Sequence, residues 1–211
     1  MPIKIAVPFD QKEDAKKLGA IWVPDVKTWI IPDHIQNVNS FKPWLPQNGG
    51  SFVKFPYLIG RSRRECWKCH KETPLISLGA KIIFTTAFGP QIPPTEIKWE
   101  KHEYPSFFVN IEFIDNELST KLRGQFPFFQ EMYSKKLGKS TWVNTCIYCQ
   151  TTQGDDYNIA HPNAPFGGYL NEKKTLFRGK NMEQIQLRFD YYIDSAVYDG
   201  EYYWDGFSEA E

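Results

Sequence analysis

Cys66-Trp67-Lys68-Cys69-His70 and Cys146-Ile147-Tyr148-Cys149-Gln150 are the two stretches that decide the fold. They hold all four cysteines of a 211-residue chain. In each, two residues separate the thiols, a spacing that lets one turn of chain wrap one side of a tetrahedral ion. Two such turns supply four thiolates, each about 2.3 Å from a zinc ion. Four protein ligands leave no open position for water or substrate. The expected cofactor is therefore a structural Zn²⁺, with Cys66, Cys69, Cys146 and Cys149 as ligands. A rival set replaces one cysteine by His70 or His161.

Residues 70–145 lie between the two pairs, far more chain than a compact zinc ribbon needs. Closing so long a loop costs little more than closing a short one, about 0.6 kcal/mol per doubling of length. The expected unit is thus a zinc-ribbon-like domain over 63–170 with a large β-rich insertion at 70–145. The residue that follows such a turn often has positive φ, which glycine favours. His70 and Gln150 stand there instead, and histidine tolerates that region better than bulky residues do. This leaves room for one irregular turn.

Upstream, Ile3, Ile5 and Val7 alternate with polar or small residues and predict a strand that Pro8 ends. Asp10, with Glu13 three residues on, reads as a helix N-cap and capping box. The helix carries Ala15 and Leu18 and stops at Gly19, a left-handed C′ residue. Ile21-Trp22-Val23, a turn over Pro24–Lys27, and Trp29-Ile30-Ile31 predict a β-hairpin. Residues 1–46 thus form a β-α-β-β module, closed by Phe41, Trp44 and Leu45. Gly49, Gly50 and Gly60 mark 47–62 as a linker.

Within the insertion, Lys81–Phe84 and Phe107–Phe113 predict buried strands. A helix is expected inside 118–137, from Pro127 to Leu137. Trp142–Thr145 predicts a strand entering the second cysteine pair. In 171–211, Ile185–Tyr191 predicts a strand, followed by an acidic, tyrosine-rich tail. The fold class is α+β.

Phe 16, Tyr 11 and Trp 7 make the chain rich in aromatics, enough to bury a sizeable core and to argue against disorder over most of it. Net charge is zero, yet its distribution is uneven. Residues 1–189 carry 25 basic and 18 acidic side chains, whereas seven acids and no Lys or Arg follow Arg188. The tail reads as a solvated end or as a cover for a basic face. No apolar run reaches membrane-spanning length, and the start lacks a signal peptide's apolar core. The expected compartment is the reducing cytoplasm, where paired cysteines serve as metal ligands more often than as disulfides.

Ile5-Ala-Val-Pro-Phe-Asp-Gln-Lys-Glu-Asp-Ala-Lys-Lys-Leu-Gly-Ala-Ile-Trp22, with Lys27-Thr-Trp29-Ile-Ile-Pro32, resembles a small bacterial domain of unknown function found beside plasmid-transfer primases and other DNA-processing proteins. Cys66-Trp-Lys-Cys-His-Lys-Glu-Thr-Pro74, with Trp142 to Asp155 and Pro162 to Phe166, is similar to an uncharacterised bacterial zinc-binding region that accompanies it. That region usually has Gly after a cysteine turn, so His70 and Gln150 depart from it. Neither resemblance implies an activity or a catalytic residue. Both imply work alongside nucleic acid.

Candidate contact residues surround the first cysteine pair. Arg61, Arg63, Arg64, Lys68 and Lys71 can neutralise phosphates, and Trp67 can stack on an unpaired base. Lys16, Lys17, Lys27 and Trp29 can form a similar face, although Trp22, Trp29 and Trp44 equally suit a small core. Gly138-Lys139-Ser140 resembles the end of a phosphate-binding loop, but the motif's first glycine falls on Tyr133. Asp155 and Asp156 are neighbouring carboxylates that suit either a divalent ion or a turn. The leading expectation is a non-catalytic adaptor that binds nucleic acid or a protein acting on it. The alternatives are a protein-interaction module of bacterial defence or plasmid biology, and a metal-dependent nucleic-acid enzyme.

Overall fold

The structure, a computed structural model, describes residues 2–45, 51–86, 99–103, 106–160, 164–166, 181–185, 191–198 and 208–209. It is a mixed α+β chain dominated by antiparallel strands. The first unit runs β1 (Ile3–Ile5), α1 (Lys12–Lys17), β2 (Ile21–Val23) and β3 (Thr28–Ile31), with β3 between β1 and β2. Cross-strand pairing sets Trp29 opposite both Ile5 and Trp22. Gly19 ends α1 at φ 96°, as expected of a left-handed C′ glycine.

The start of α1 differs from expectation. Asp10 lies inside a 3₁₀ turn, Phe9–Gln11, and the helix opens at Gln11 with no side-chain cap. Glu13 instead pairs with Lys16, and Asp14 with Lys17. A longer 3₁₀ stretch, Val38–Trp44, folds Phe41 and Trp44 under the sheet. Trp29 and Trp44 are core residues, whereas Trp22 is 43% exposed.

The long strands follow: β4 (Ser51–Glu65), β5 (Glu72–Thr86), β6 (Trp99–His102) and β7 (Ser106–Ile114). After them come α2 (Asn116–Gln125), β8 (Phe129–Ser134), β9 (Lys139–Thr145) and β10 (Thr152–Gln153), then β11 (Asn181–Ile185), β12 (Tyr191–Tyr198) and β13 (Ser208–Glu209). Strands β8, β9 and β10 form a separate three-stranded sheet. In the large sheet the pairing closes on itself: β4 pairs with β5, β5 with β7, β7 with β12, and β12 again with β4. One edge of β4 also carries β11, and one edge of β5 carries β6.

Three readings of the sequence are corrected here. The stretch read as linker holds most of β4, the longest strand together with β5. Gly60 is no punctuation mark: a Cβ there would stand 3.2 Å from the rings of Phe107 and Phe166. The residue is small so that two aromatics can lie against the strand. The helix expected from Pro127 to Leu137 lies earlier, at α2. Asp115 caps it by accepting from the Glu117 N–H at 3.1 Å. Residues 129–134 form strand β8, which turns through Gly138 (φ 70°) into β9. In the C-terminal region, where a strand and an acidic tail are expected, β12 sits between β4 and β7 in the large sheet. Ile185 closes β11 and Tyr191 opens β12, while 186–190 of the strand expected there lie outside the described residues. So does most of the acidic tail; Asp194 falls in β12 and Glu209 in β13.

The core is continuous across the first unit and the large sheet. Ile3, Ile31 and Phe41 share one apolar cluster with Phe52, Phe84 and Trp99. Asn39 fastens that junction, donating to the Trp99 carbonyl at 3.1 Å and accepting its N–H at 2.7 Å. Among the described residues, no helix is long and apolar enough to cross a membrane.

Candidate metal centre and the surface around it

Each cysteine pair lies at the tip of a hairpin. Strands β4 and β5 pair down to Glu65 and Glu72, so residues 66–71 form the first tip. Strands β9 and β10 pair at Thr145 and Thr152, so residues 146–151 form the second. The two tips have the same hydrogen bonds. Cys66 N–H donates to Lys71 O and His70 N–H to Cys66 O, both at 2.9 Å. Cys146 N–H donates to Thr151 O and Gln150 N–H to Cys146 O, again at 2.9 Å. His70 has φ 57° and Gln150 φ 58°. Neither turn is irregular: both non-glycine residues adopt the left-handed conformation that the turn demands.

The tips meet. All four sulfurs lie within 4.8 Å of one another. Cys66 Sγ stands 3.6 Å from Cys149 Sγ, and Cys69 Sγ 3.6 Å from Cys146 Sγ. A tetrahedron with arms of about 2.3 Å has edges of about 3.8 Å, so the four sulfurs can hold one metal ion. Cys66 and Cys146 are fully buried, Cys69 and Cys149 partly so. Hydrogen bonds from Thr151, through side chain and backbone, pull the Cys149 thiol down. Cys69 moves up: the Lys71 N–H favours its thiolate, but burial and the neighbouring sulfurs outweigh it. Four thiols so close compete for negative charge, which a divalent cation would satisfy in all of them at once.

His70 is not in the cluster. Its Nδ1 lies 2.9 Å from Glu65 Oε1, on the surface. His161 lies outside the described residues.

The polar scaffold around the cysteines gave no signal in the sequence. Buried Asn144 donates to the Ile76 carbonyl at 2.9 Å and accepts the Ile76 N–H at 2.8 Å, so one amide stands in for a paired strand and locks β9 against β5. Thr73 Oγ1 accepts the Ile147 N–H across the tips. Buried Gln153 donates to Cys66 Sγ at 3.4 Å and to Thr151 O at 3.0 Å. Asn158, at one turn of π-helix (Asp156–Ala160), donates to Gln153 O at 2.7 Å. Both amides lie close to the second cysteine pair in sequence, Asn144 two residues before Cys146 and Gln153 four after Cys149.

The basic cluster divides. Arg61 stacks on Phe126 with its guanidinium carbon 4.8 Å from the ring centroid. Arg64, on the opposite side of the strand, donates to Tyr157 O and to Asn158 Oδ1. Arg63, Trp67, Lys68 and Lys71 are exposed around the first tip. Lys71 Nζ lies 4.9 Å from the ring of Tyr148 on the second tip. Lys16 and Lys17 carry their ion pairs to Glu13 and Asp14 far from this surface in sequence. Asp155 accepts the Asn110 N–H at 2.8 Å, at a point in β7 where Asn110 takes φ 51°. Burial raises this carboxyl to about 6, opposed by the Asn110 hydrogen bond and assisted by the charge of Asp156.

A mostly β chain whose two hairpin tips bring four thiols together is the class that fold and site define. Residues 3–46 match the model of a family described as "Domain of unknown function (DUF5710)". That match covers β1 to the 3₁₀ stretch before β4, and the four cysteines lie beyond it. No curated protein and no solved structure matches the chain.

Proposed function

We propose that the chain is a non-catalytic, zinc-stapled module of zinc-ribbon type that binds nucleic acid in the cytoplasm. The four sulfurs converging from two hairpin tips carry this reading. Zinc is the choice because four thiolates in a tetrahedron suit Zn²⁺ or an iron–sulfur centre, and this closed set has room for a single ion. Two ligands from each tip would make the ion the bond between hairpins far apart in sequence. With no open coordination position, its contribution is structural.

The binding surface is the outer face of the first tip. Arg63, Lys68 and Lys71 offer three cations around an indole that is 61% exposed at Trp67. Cations flanking an exposed ring suit a phosphate backbone and an unstacked base. The resemblance of residues 1–46 to a domain found beside DNA-processing proteins supports the same direction. Fluorescence anisotropy with labelled oligonucleotides over a salt series tests it. Affinity should fall steeply with salt, and Arg63→Glu, Lys68→Glu and Lys71→Glu together should weaken it at least ~10-fold. Absence of binding at low salt, or affinity indifferent to salt and to these charges, would refute the reading.

One observation favours a second reading, a protein-interaction module. Phe9 (81%), Ile21 (49%) and Trp22 (43%) expose apolar area on the first unit. A co-purifying protein that survives nuclease treatment, and is lost with Trp22→Ala, would support it.

A further inference from the structure

Beside the four cysteines, a cleft of about 740 Å³ opens between the β8–β9 turn and the segment 154–157. This is the size of a small-ligand site. Three of its rings stand largely in solvent: Trp67 at 61%, Tyr133 at 65% and Tyr157 at 62% exposure. Two of the three are held in place. The Trp67 Nε1–H donates to the Thr152 carbonyl at 3.0 Å. Arg64 stands over the Tyr157 ring, 6.0 Å from its centroid, while donating to that residue's carbonyl. Rings fixed while still wet bind flat partners at reduced entropic cost.

The charges fit the same ligand. Lys135 and Lys136 line the cleft from the turn. Lys136 reaches an acid on the opposite side, with Nζ 3.7 Å from Asp156 Oδ2, and both side chains are highly exposed. An ion pair this exposed contributes little and exchanges easily. A phosphate could replace Asp156 on Lys136 without burying a charge.

Resting on the nucleic-acid reading above, we propose that this cleft receives an unpaired base of a single strand, stacked on Tyr133, Trp67 or Tyr157, with the adjoining phosphate held by Lys136 in place of Asp156. A duplex hides its ring faces in its own stack, so the cleft selects single strands. The first tip would then hold the backbone, and Trp67 would belong to both surfaces.

The test uses the full chain and three fluorescent probes: a short oligothymidylate, the same strand with abasic sites, and a short duplex. The oligothymidylate should bind at least ~10-fold more tightly than the other two, since stacking contributes about 1–3 kcal/mol per base. Tyr133→Ala with Tyr157→Ala should cut that preference severalfold, Trp67 alone remaining to stack, while leaving the salt dependence intact. Asp156→Asn should tighten binding about threefold by freeing Lys136. Unchanged metal content and near-ultraviolet circular dichroism verify that the variants fold, as expected for side chains so exposed. If all three probes bind equally and the tyrosine variants change nothing, the cleft proposal falls while the nucleic-acid reading stands. If no probe binds at low salt, both fall. Weaker binding by Asp156→Asn would also contradict the exchange at Lys136.

Discussion

The two hairpin tips share one backbone and differ in what they show to solvent. Residues 66–71 and 146–151 make the same turn hydrogen bonds and place a left-handed residue at the same point. Yet the first tip presents Trp67, Lys68 and Lys71, and the second Ile147 and Tyr148, exposed by 44% and 55%. The internal chemistry of a tip is thus set by the pair of thiols, while its outer residues are free to vary. The turn needs positive φ whether or not glycine is there, since His70 and Gln150 both take it. Left-handed geometry costs a non-glycine residue roughly 1–2 kcal/mol, so something must hold it. The paired hydrogen bonds of each turn do so, and an ion shared by the four sulfurs would reinforce them.

The strongest way to break the equivalence is to remove one ligand from each tip. Cys66→Ser and Cys146→Ser should each abolish stoichiometric metal and lower stability by several kcal/mol, since structural zinc sites reach about 10–16 kcal/mol of apparent binding energy in small domains. Equal losses in thermal melts would confirm that the tips are partners, whereas a mild effect of either would show one tip folding alone. Next in size is the amide that joins them. Asn144→Ala strands the N–H and the carbonyl of Ile76 and should cost about 2–4 kcal/mol in denaturant unfolding. Asn39→Ala, at the less buried junction with Trp99, should cost less.

A third test probes the segment after the second tip, which has no counterpart after the first. The Asp155 carboxyl is raised from 3.8 to about 6 in the fold, so its stabilising contribution is present below pH 3.8 and fades as pH climbs through about 6. Asp155→Asn should therefore raise stability at pH 8 by on the order of 1 kcal/mol and change it little at pH 4. A gain that is the same at both pH values would contradict the assigned cause. The smallest effect concerns the left-handed residues. Gln150→Gly should stabilise by about 0.5 kcal/mol, the relief of backbone strain less the entropy of a freer unfolded chain. His70→Gly should gain less, because it also loses the contact with Glu65.

Local chemistry was readable; long-range pairing was not. The first unit followed from apolar alternation and from Gly19. The four thiols followed from spacing alone. Where the sequence misled, one residue type served two purposes. Gly60 reads as a breaker, yet it makes room for Phe107 and Phe166 inside a strand. Asp10 reads as a cap, but a 3₁₀ turn occupies its place. Phe129 to Ser134 has no strict alternation, and only its pairing with β9 through the Gly138 turn makes it a strand. Asn144 and Gln153 carry no period at all. Their roles exist only once β5 and β9 lie side by side, and that depends on contacts between residues some seventy positions apart.

One measurement bears most directly on the claim that both tips share an ion: metal analysis with X-ray absorption on the purified full chain. One zinc per chain is expected, surrounded by four sulfur scatterers at about 2.3 Å. A folded chain without stoichiometric metal, or a zinc with nitrogen or oxygen among its nearest neighbours, would contradict it.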